Sequence, residues 1–193
     1  MDDRLSKISE HIAKSIEAKN KIKDDVNFNH IILKITDYII ASYKAEGKVL
    51  FCGNGGSAAD AQHLSAELSG RFKKDRKPLN SEALHVNTSY LTAVANDYSY
   101  DDIYSRLIEA RGKSGDVLIA ISTSGNSKNI IKAVEKAKKK EMITVGFTGN
   151  KGHVLSSMCD LSLIVPSSDT AIIQESHIML GHIICDIVES TFF

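Results

Sequence analysis

Two short apolar runs, each breaking into a small-residue turn that opens a helical pattern, constrain this chain more than any other feature. The first is Val49-Leu50-Phe51-Cys52, followed by Gly53-Asn54-Gly55-Gly56-Ser57 and a helical stretch to Arg71. The second runs from Asp116 to Ile121, followed by Ser122-Thr123-Ser124-Gly125-Asn126-Ser127 and another helix. A strand that enters a turn at a helix N-terminus can bind an anion. Glycines let backbone N–H groups approach, and the helix start adds unpaired donors and positive potential. One hydroxyl would cap a helix. Four around Gly125 exceed that need and suit a phosphomonoester held without Lys or Arg. Neither turn has the GxGxxG spacing or a Walker lysine, so a dinucleotide or nucleoside triphosphate is not favoured. Ligands of parallel sheets lie at the strands' C-terminal ends, so the two turns could share one crevice.

The rest of the chain alternates in the same way. Leu5, Ile8, Ile12 and Ile16 recur at spacings of three and four, which predicts an amphipathic helix over residues 3 to 22. A second helix is expected from about Val26 to Ala45, with Phe28, Ile31, Ile32, Ile35, Tyr38 and Ile39 on its apolar side and Gly47 as its C-cap. Further strands are expected at 83–86, 142–147 and 161–165. Further helices are expected at 88–95 (ending at Asn96-Asp97), 102–111, after Ser127, and from Thr170 almost to Phe193. The fold class is therefore α/β, a mostly parallel sheet covered by helices on both faces. The two leading helices, within residues 1–46, would cover the sheet or pack against another subunit. No internal boundary is visible in the 193 residues, so the chain reads as a single domain, 1–193.

Charge and cysteine content exclude some roles. Lys+Arg and Asp+Glu are both 24, giving a formal net charge of +0, which argues against a nucleic-acid partner. Lys136, Lys138, Lys139 and Lys140 read as a solvated helix end that complements the dipole. Cys52, Cys159 and Cys185 sit far apart in apolar runs and read as reduced core thiols of a cytoplasmic protein. The polar N-terminus shows no signal peptide, and no apolar run is expected to reach the ~20 residues of a membrane span.

His63 and Glu67 lie four residues apart on the helix after the glycine turn, a spacing that suits two ligands of one zinc ion or a surface hydrogen bond. Glu175, His177, His182 and Asp186 make the last helix unusually polar among its aliphatic residues. One buried structural histidine would explain one of these but not the set.

The strings CGNGGSAADAQHLSAELSGRF, AVANDYSY, STSGNS and IIQESHIMLGHIICDIVE together resemble the phosphoheptose isomerase family of the sugar isomerase (SIS) domain. The resemblance covers nearly the whole chain. It implies a three-layer SIS fold with extra N-terminal helices. It also implies a cytoplasmic, zinc-dependent homotetramer that interconverts sedoheptulose 7-phosphate and glycero-manno-heptose 7-phosphate. That reaction is the entry to heptose units of bacterial lipopolysaccharide or capsule. The family's zinc ligands fall on His63, Glu67, Gln174 and His182, one ion per subunit. Its contacts to the phosphorylated seven-carbon sugar fall on Asn54, Gly55, Gly56, Ser57, Glu67, Asn96, Asp97, Ser122, Thr123, Ser124, Ser127 and Gln174. An aldose–ketose isomerisation needs a base and a complementary acid, for which Glu67 and His182 are the candidates. Eight helical residues separate Gln174 from His182, a rise of about 12 Å. Either Gln174 lies at an irregular helix start, or the two residues serve different copies of a site built at a subunit interface. SIS-domain relatives also include non-catalytic regulators that bind a protein partner such as the replication initiator. That is the alternative function.

Overall fold

The computed structural model of the protein describes residues 3–193. In chain order the elements are α1 (Asp3–Asp24), α2 (Val26–Lys44), β1 (Val49–Gly53), α3 (Gly56–Ser69), β2 (Ser81–Ala83), α4 (Thr88–Asp97), α5 (Ile103–Arg111), β3 (Val117–Ile121), α6 (Lys128–Lys139), β4 (Ile143–Gly149), α7 (His153–Met158), β5 (Leu161–Val165) and α8 (Thr170–Phe192), with one 3-10 turn at Tyr100–Asp102.

The five strands form one sheet in the order β2-β1-β3-β4-β5, and every neighbouring pair is parallel. Strand residues alternate between the faces. Phe51, Ile119 and Phe147 face α2, α3 and α8, while Leu50, Cys52, Leu118 and Ala120 face α4, α5 and α6. The result is the expected three-layer α/β fold. Both strand faces are covered, so β1 and β3 are buried at every position. Burying each Val, Leu, Ile or Phe side chain among them is worth roughly 1.5–3 kcal/mol. The chain leaves β1 toward β2 on one side and returns to β3 on the other. The strand order therefore reverses between β1 and β3, where an open parallel sheet leaves a crevice.

Several local expectations are corrected. The edge strand β2 is Ser81–Ala83 rather than 83–86; beyond it only Leu84 N–H continues the ladder, to the Phe51 carbonyl at 2.9 Å. A short helix, α7, occupies a stretch with no earlier assignment, whereas α4 ends at Asn96-Asp97 as expected. Gly47 does not cap α2. Glu46 takes the left-handed conformation there, with φ of 60°. Gly47 is instead required by proximity, because a Cβ would lie 2.5 Å from Ser42 Oγ. In α1 the buried residues are Ser15, Ala18 and Ile22, whereas Leu5, Ile8, Ile12 and Ile16 each remain more than half exposed. Tyr38, expected on the buried side of α2, is also exposed.

The three cysteines are unpaired. α8 meets a membrane span by length and composition, contrary to expectation: its 23 residues have a mean hydropathy of 1.3 over the most apolar window. Half of that window is buried within the fold, against α2, α3 and the sheet. Several of its polar residues have partners. Glu175 bonds Ser15 and pairs with Lys19 at 3.0 Å, tying α8 to α1, and Asp186 pairs with Lys73 at 2.7 Å. His177 is fully buried, with Nε2 3.3 Å from the Thr148 carbonyl. Burial lowers its pKa from the ordinary 6.5 to about 4, against the pull of that carbonyl.

Candidate active site

The glycine turn follows β1 at the sheet's reversal point. Gly55 has φ of 55°, a conformation that disfavours any side chain. Gly56 opens α3 and is pressed against Gln174: a Cβ there would stand 2.5 Å from Gln174 Nε2. Asn54 is held by a residue that the sequence reading did not single out. Its amide exchanges hydrogen bonds of 2.9 Å in both directions with Asn129, and Tyr100 OH donates to its Oδ1 at 3.1 Å. Asn129 is buried in the first turn of α6. This reciprocal pair joins the two turns directly. Its one sequence signal was an amide two residues beyond the second turn.

The hydroxyl turn follows β3. Ser122 Oγ lies 3.1 Å from Ser127 Oγ and accepts from the Gly125 N–H at 3.2 Å. Ser127 is the N-cap of α6, yet its side chain makes no capping hydrogen bond. Its hydroxyl faces a cavity of about 110 Å³ lined by Asn54, Ser57, Ile121, Ser122, Thr123, Ser127 and Gln174. Both turns and the first part of α8 therefore meet in one small polar cavity, at the strands' C-terminal ends. Ser124 lines an adjoining hollow of about 270 Å³ on the other side of Thr123, together with Asn126, Lys151 and Thr170. Asn96 and Asp97 are not part of the small cavity. They stand exposed at the end of α4, joined by a 2.9 Å hydrogen bond.

Farther along α3 is a second constellation. His63 Nε2 lies 3.0 Å from Glu67 Oε1 and 2.9 Å from His182 Nε2, and one donor atom from each residue lies within 4.8 Å of the others. Nitrogens bound to one tetrahedral zinc ion at about 2.0–2.1 Å stand about 3.3 Å apart. The trio thus sits near ligand spacing, and two imidazoles with a carboxylate form a common donor set of catalytic zinc. Phe72 stacks on His182 with ring centroids 5.6 Å apart and planes 21° apart. Asp60, one turn before His63, is a further residue not singled out in the sequence. Burial pushes its carboxyl up to about 6 against the pull of His63, and its Oδ2 is buried without a hydrogen-bond partner among the described residues.

α3 and α8 run side by side, so Gln174 meets Gly56 and His182 meets His63. α8 is helical from its first turn, where Asp169 caps Ala171 N–H at 2.9 Å and the Ile173 N–H reaches the Asp169 carbonyl at 2.9 Å. Gln174 therefore lies in regular helix. Within one chain it stays about 12 Å along the axis from His182.

The profile described as the SIS domain matches residues 25–149. The chain is 54% identical over 186 residues to the phosphoheptose isomerase of Clostridium acetobutylicum, covering 96% of this chain and 95% of that one. Two solved structures share the fold nearly throughout. The phosphoheptose isomerase of Neisseria gonorrhoeae is 40% identical with a TM-score of 0.90, covering 96% of this chain and 98% of that one. The one from Francisella tularensis is 36% identical with a TM-score of 0.92, covering 97% and 98%.

Proposed function

The chain belongs to the phosphoheptose isomerase family of SIS-domain proteins and is a sugar-phosphate isomerase; from that premise we propose that it interconverts D-sedoheptulose 7-phosphate and D-glycero-D-manno-heptose 7-phosphate through an enediol. The observation that supports this most is the meeting of His63 and Glu67, on the helix whose N-terminus is the glycine turn, with His182 on the adjacent α8. The sugar's reacting end then addresses α3, while its phosphate reaches the hydroxyl turn, which the Asn54–Asn129 pair ties to the start of that helix.

In this reading the hydroxyls of Ser122, Thr123, Ser124 and Ser127 hold the phosphate. Asn54, Gly55, Gly56 and Ser57 close over the sugar, and Asn96, Asp97 and Gln174 orient its hydroxyls. Glu67 carries the proton between C1 and C2, and His182 moves protons at the two oxygens. One zinc ion per subunit, held by His63, Glu67, His182 and Gln174, would polarise the substrate carbonyl and stabilise developing negative charge. The two-turn gap between Gln174 and His182 is bridged when Gln174 comes from a neighbouring copy. The enzyme is then a homotetramer with its sites at subunit interfaces. The exposed apolar stripe of α1 supports such an assembly, as does a groove of about 540 Å³ between α1, α2 and α8 lined by Ile32, Leu33, Met179 and Ile183. The whole chain, 1–193, acts as one SIS unit in the cytoplasm, at the first step toward heptose units of lipopolysaccharide or capsule.

The test is turnover of sedoheptulose 7-phosphate by the purified protein before and after chelation. The expected result is activity lost to chelator and restored by zinc. Full activity in the chelated protein overturns the zinc assignment, and no turnover in the zinc-loaded protein overturns the substrate.

A further inference from the structure

We propose that the buried Arg76–Glu189 ion pair is the positioning device of the His63/Glu67/His182 cluster, fixing the end of α3 and the ring beside His182 to one turn of α8. Arg76 Nε lies 2.9 Å from Glu189 Oε1, and both side chains are 2% exposed. Removing two charges from water is costly, so a buried pair persists only where its remaining donors and acceptors are also used. Here they are.

Glu189 accepts the backbone N–H groups of Phe72, Lys73 and Lys74 at 3.1, 2.8 and 2.9 Å. Arg76 donates to the carbonyls of Glu67, Leu68 and Gly70 at 2.8, 2.8 and 3.0 Å, and to Lys77 at 3.1 Å. Two of those carbonyls are among the last four of α3, which have no partner within their own helix. A guanidinium at a helix C-terminus also complements the dipole.

Both arms reach the cluster. Through Arg76 the pair holds the backbone of Glu67 itself. Through Glu189 it holds the backbone of Phe72, whose ring stacks on His182. Lys73, in the same loop, pairs with Asp186, one turn beyond His182 on α8. The ion pair itself adds little net stability compared with apolar residues of similar volume, apart from the backbone groups it satisfies. Its distinctive effect is orientation, and what it orients here is the site.

This inference rests on reading the trio as a metal site, so the probe is Co²⁺ added to the full-length metal-free protein. Affinity is measured by chelator competition and coordination by the visible absorption spectrum. The double variant Arg76→Met/Glu189→Leu replaces the pair with apolar groups and is expected to stay folded. Supporting partners of metal ligands typically govern affinity by 10–100-fold. The double variant should therefore bind Co²⁺ about tenfold or more weakly, with an altered spectrum, and lose kcat more than KM. Phe72→Leu, which removes the stacking ring and keeps the clip, should weaken Co²⁺ several-fold and serves alone if the double variant does not fold. Wild-type affinity and spectrum in a folded variant overturn the positioning role. A wild-type protein that binds no Co²⁺ overturns the metal reading itself, and the two failures are thereby told apart.

Discussion

At the residue scale, Glu67 has two structural ties: its carboxylate touches His63 and its carbonyl is held by Arg76. Glu67→Gln preserves size and most contacts but removes the base. Turnover should fall about 10²–10⁴-fold, with circular dichroism and melting unchanged; near-normal turnover in a folded variant removes Glu67 from its role. His177 gives a prediction in pH. Its folded pKa is about 4 against an ordinary 6.5, so the unfolded chain takes up its proton first as the medium is acidified. Stability from this group is complete above about 6.5 and is lost as pH falls toward 4, on the order of 3 kcal/mol in all. For Glu189 burial alone would raise the carboxyl, yet three backbone N–H groups and Arg76 outweigh it and hold it at about 2. Its loss belongs to a lower window, between its ordinary 4.5 and about 2. Denaturant midpoints measured across pH should show both, and His177→Gln should flatten the upper window alone.

At the element scale, the contact between α3 and α8 decides whether a site exists. A Cβ on Gly181 would stand 2.4 Å from Leu64 Cδ1, and Leu64 is itself fully buried. Alanine at an ordinary helical glycine gains roughly 0.5–1 kcal/mol. Overpacking a filled core costs about 1–3 kcal/mol. The clash should win, so Gly181→Ala is expected to lower the melting temperature and weaken metal retention as the helices part; a more stable variant with full metal affinity contradicts this. The elements themselves were largely legible, because strands such as Val117–Ile121 are unbroken aliphatic runs ended by turn residues. α7 was not, since six residues from His153 to Met158 carry too little periodicity to register. Of the site, the His63/Glu67 pair was legible because it is a local spacing on one helix. Asn129 opposite Asn54, and Glu189 opposite Arg76, were not. Each is defined by a partner more than 70 residues away, which only the packed fold brings near.

At the scale of the whole molecule, α1 leaves Leu5, Ile8, Ile12 and Ile16 in water and contributes little to this chain's own core. In the proposed assembly they are covered by a neighbour. Ile8→Lys combined with Ile12→Lys should therefore leave the chain folded by circular dichroism, reduce its mass in light scattering, and abolish turnover along with the assembly. An unchanged mass would show that the stripe is not the contact. The spacing of Gln174 and His182 along α8 has a consequence for mixed populations. If each working site takes Glu67 from one polypeptide and Gln174 from another, then a Glu67→Gln protein and a Gln174→Ala protein are each dead alone. Co-expressed, they complement one another, because some interfaces pair the intact half of each. Activity recovered from two inactive parents would be direct genetic evidence of a shared centre; none recovered from verified hybrids would place each centre within a single polypeptide.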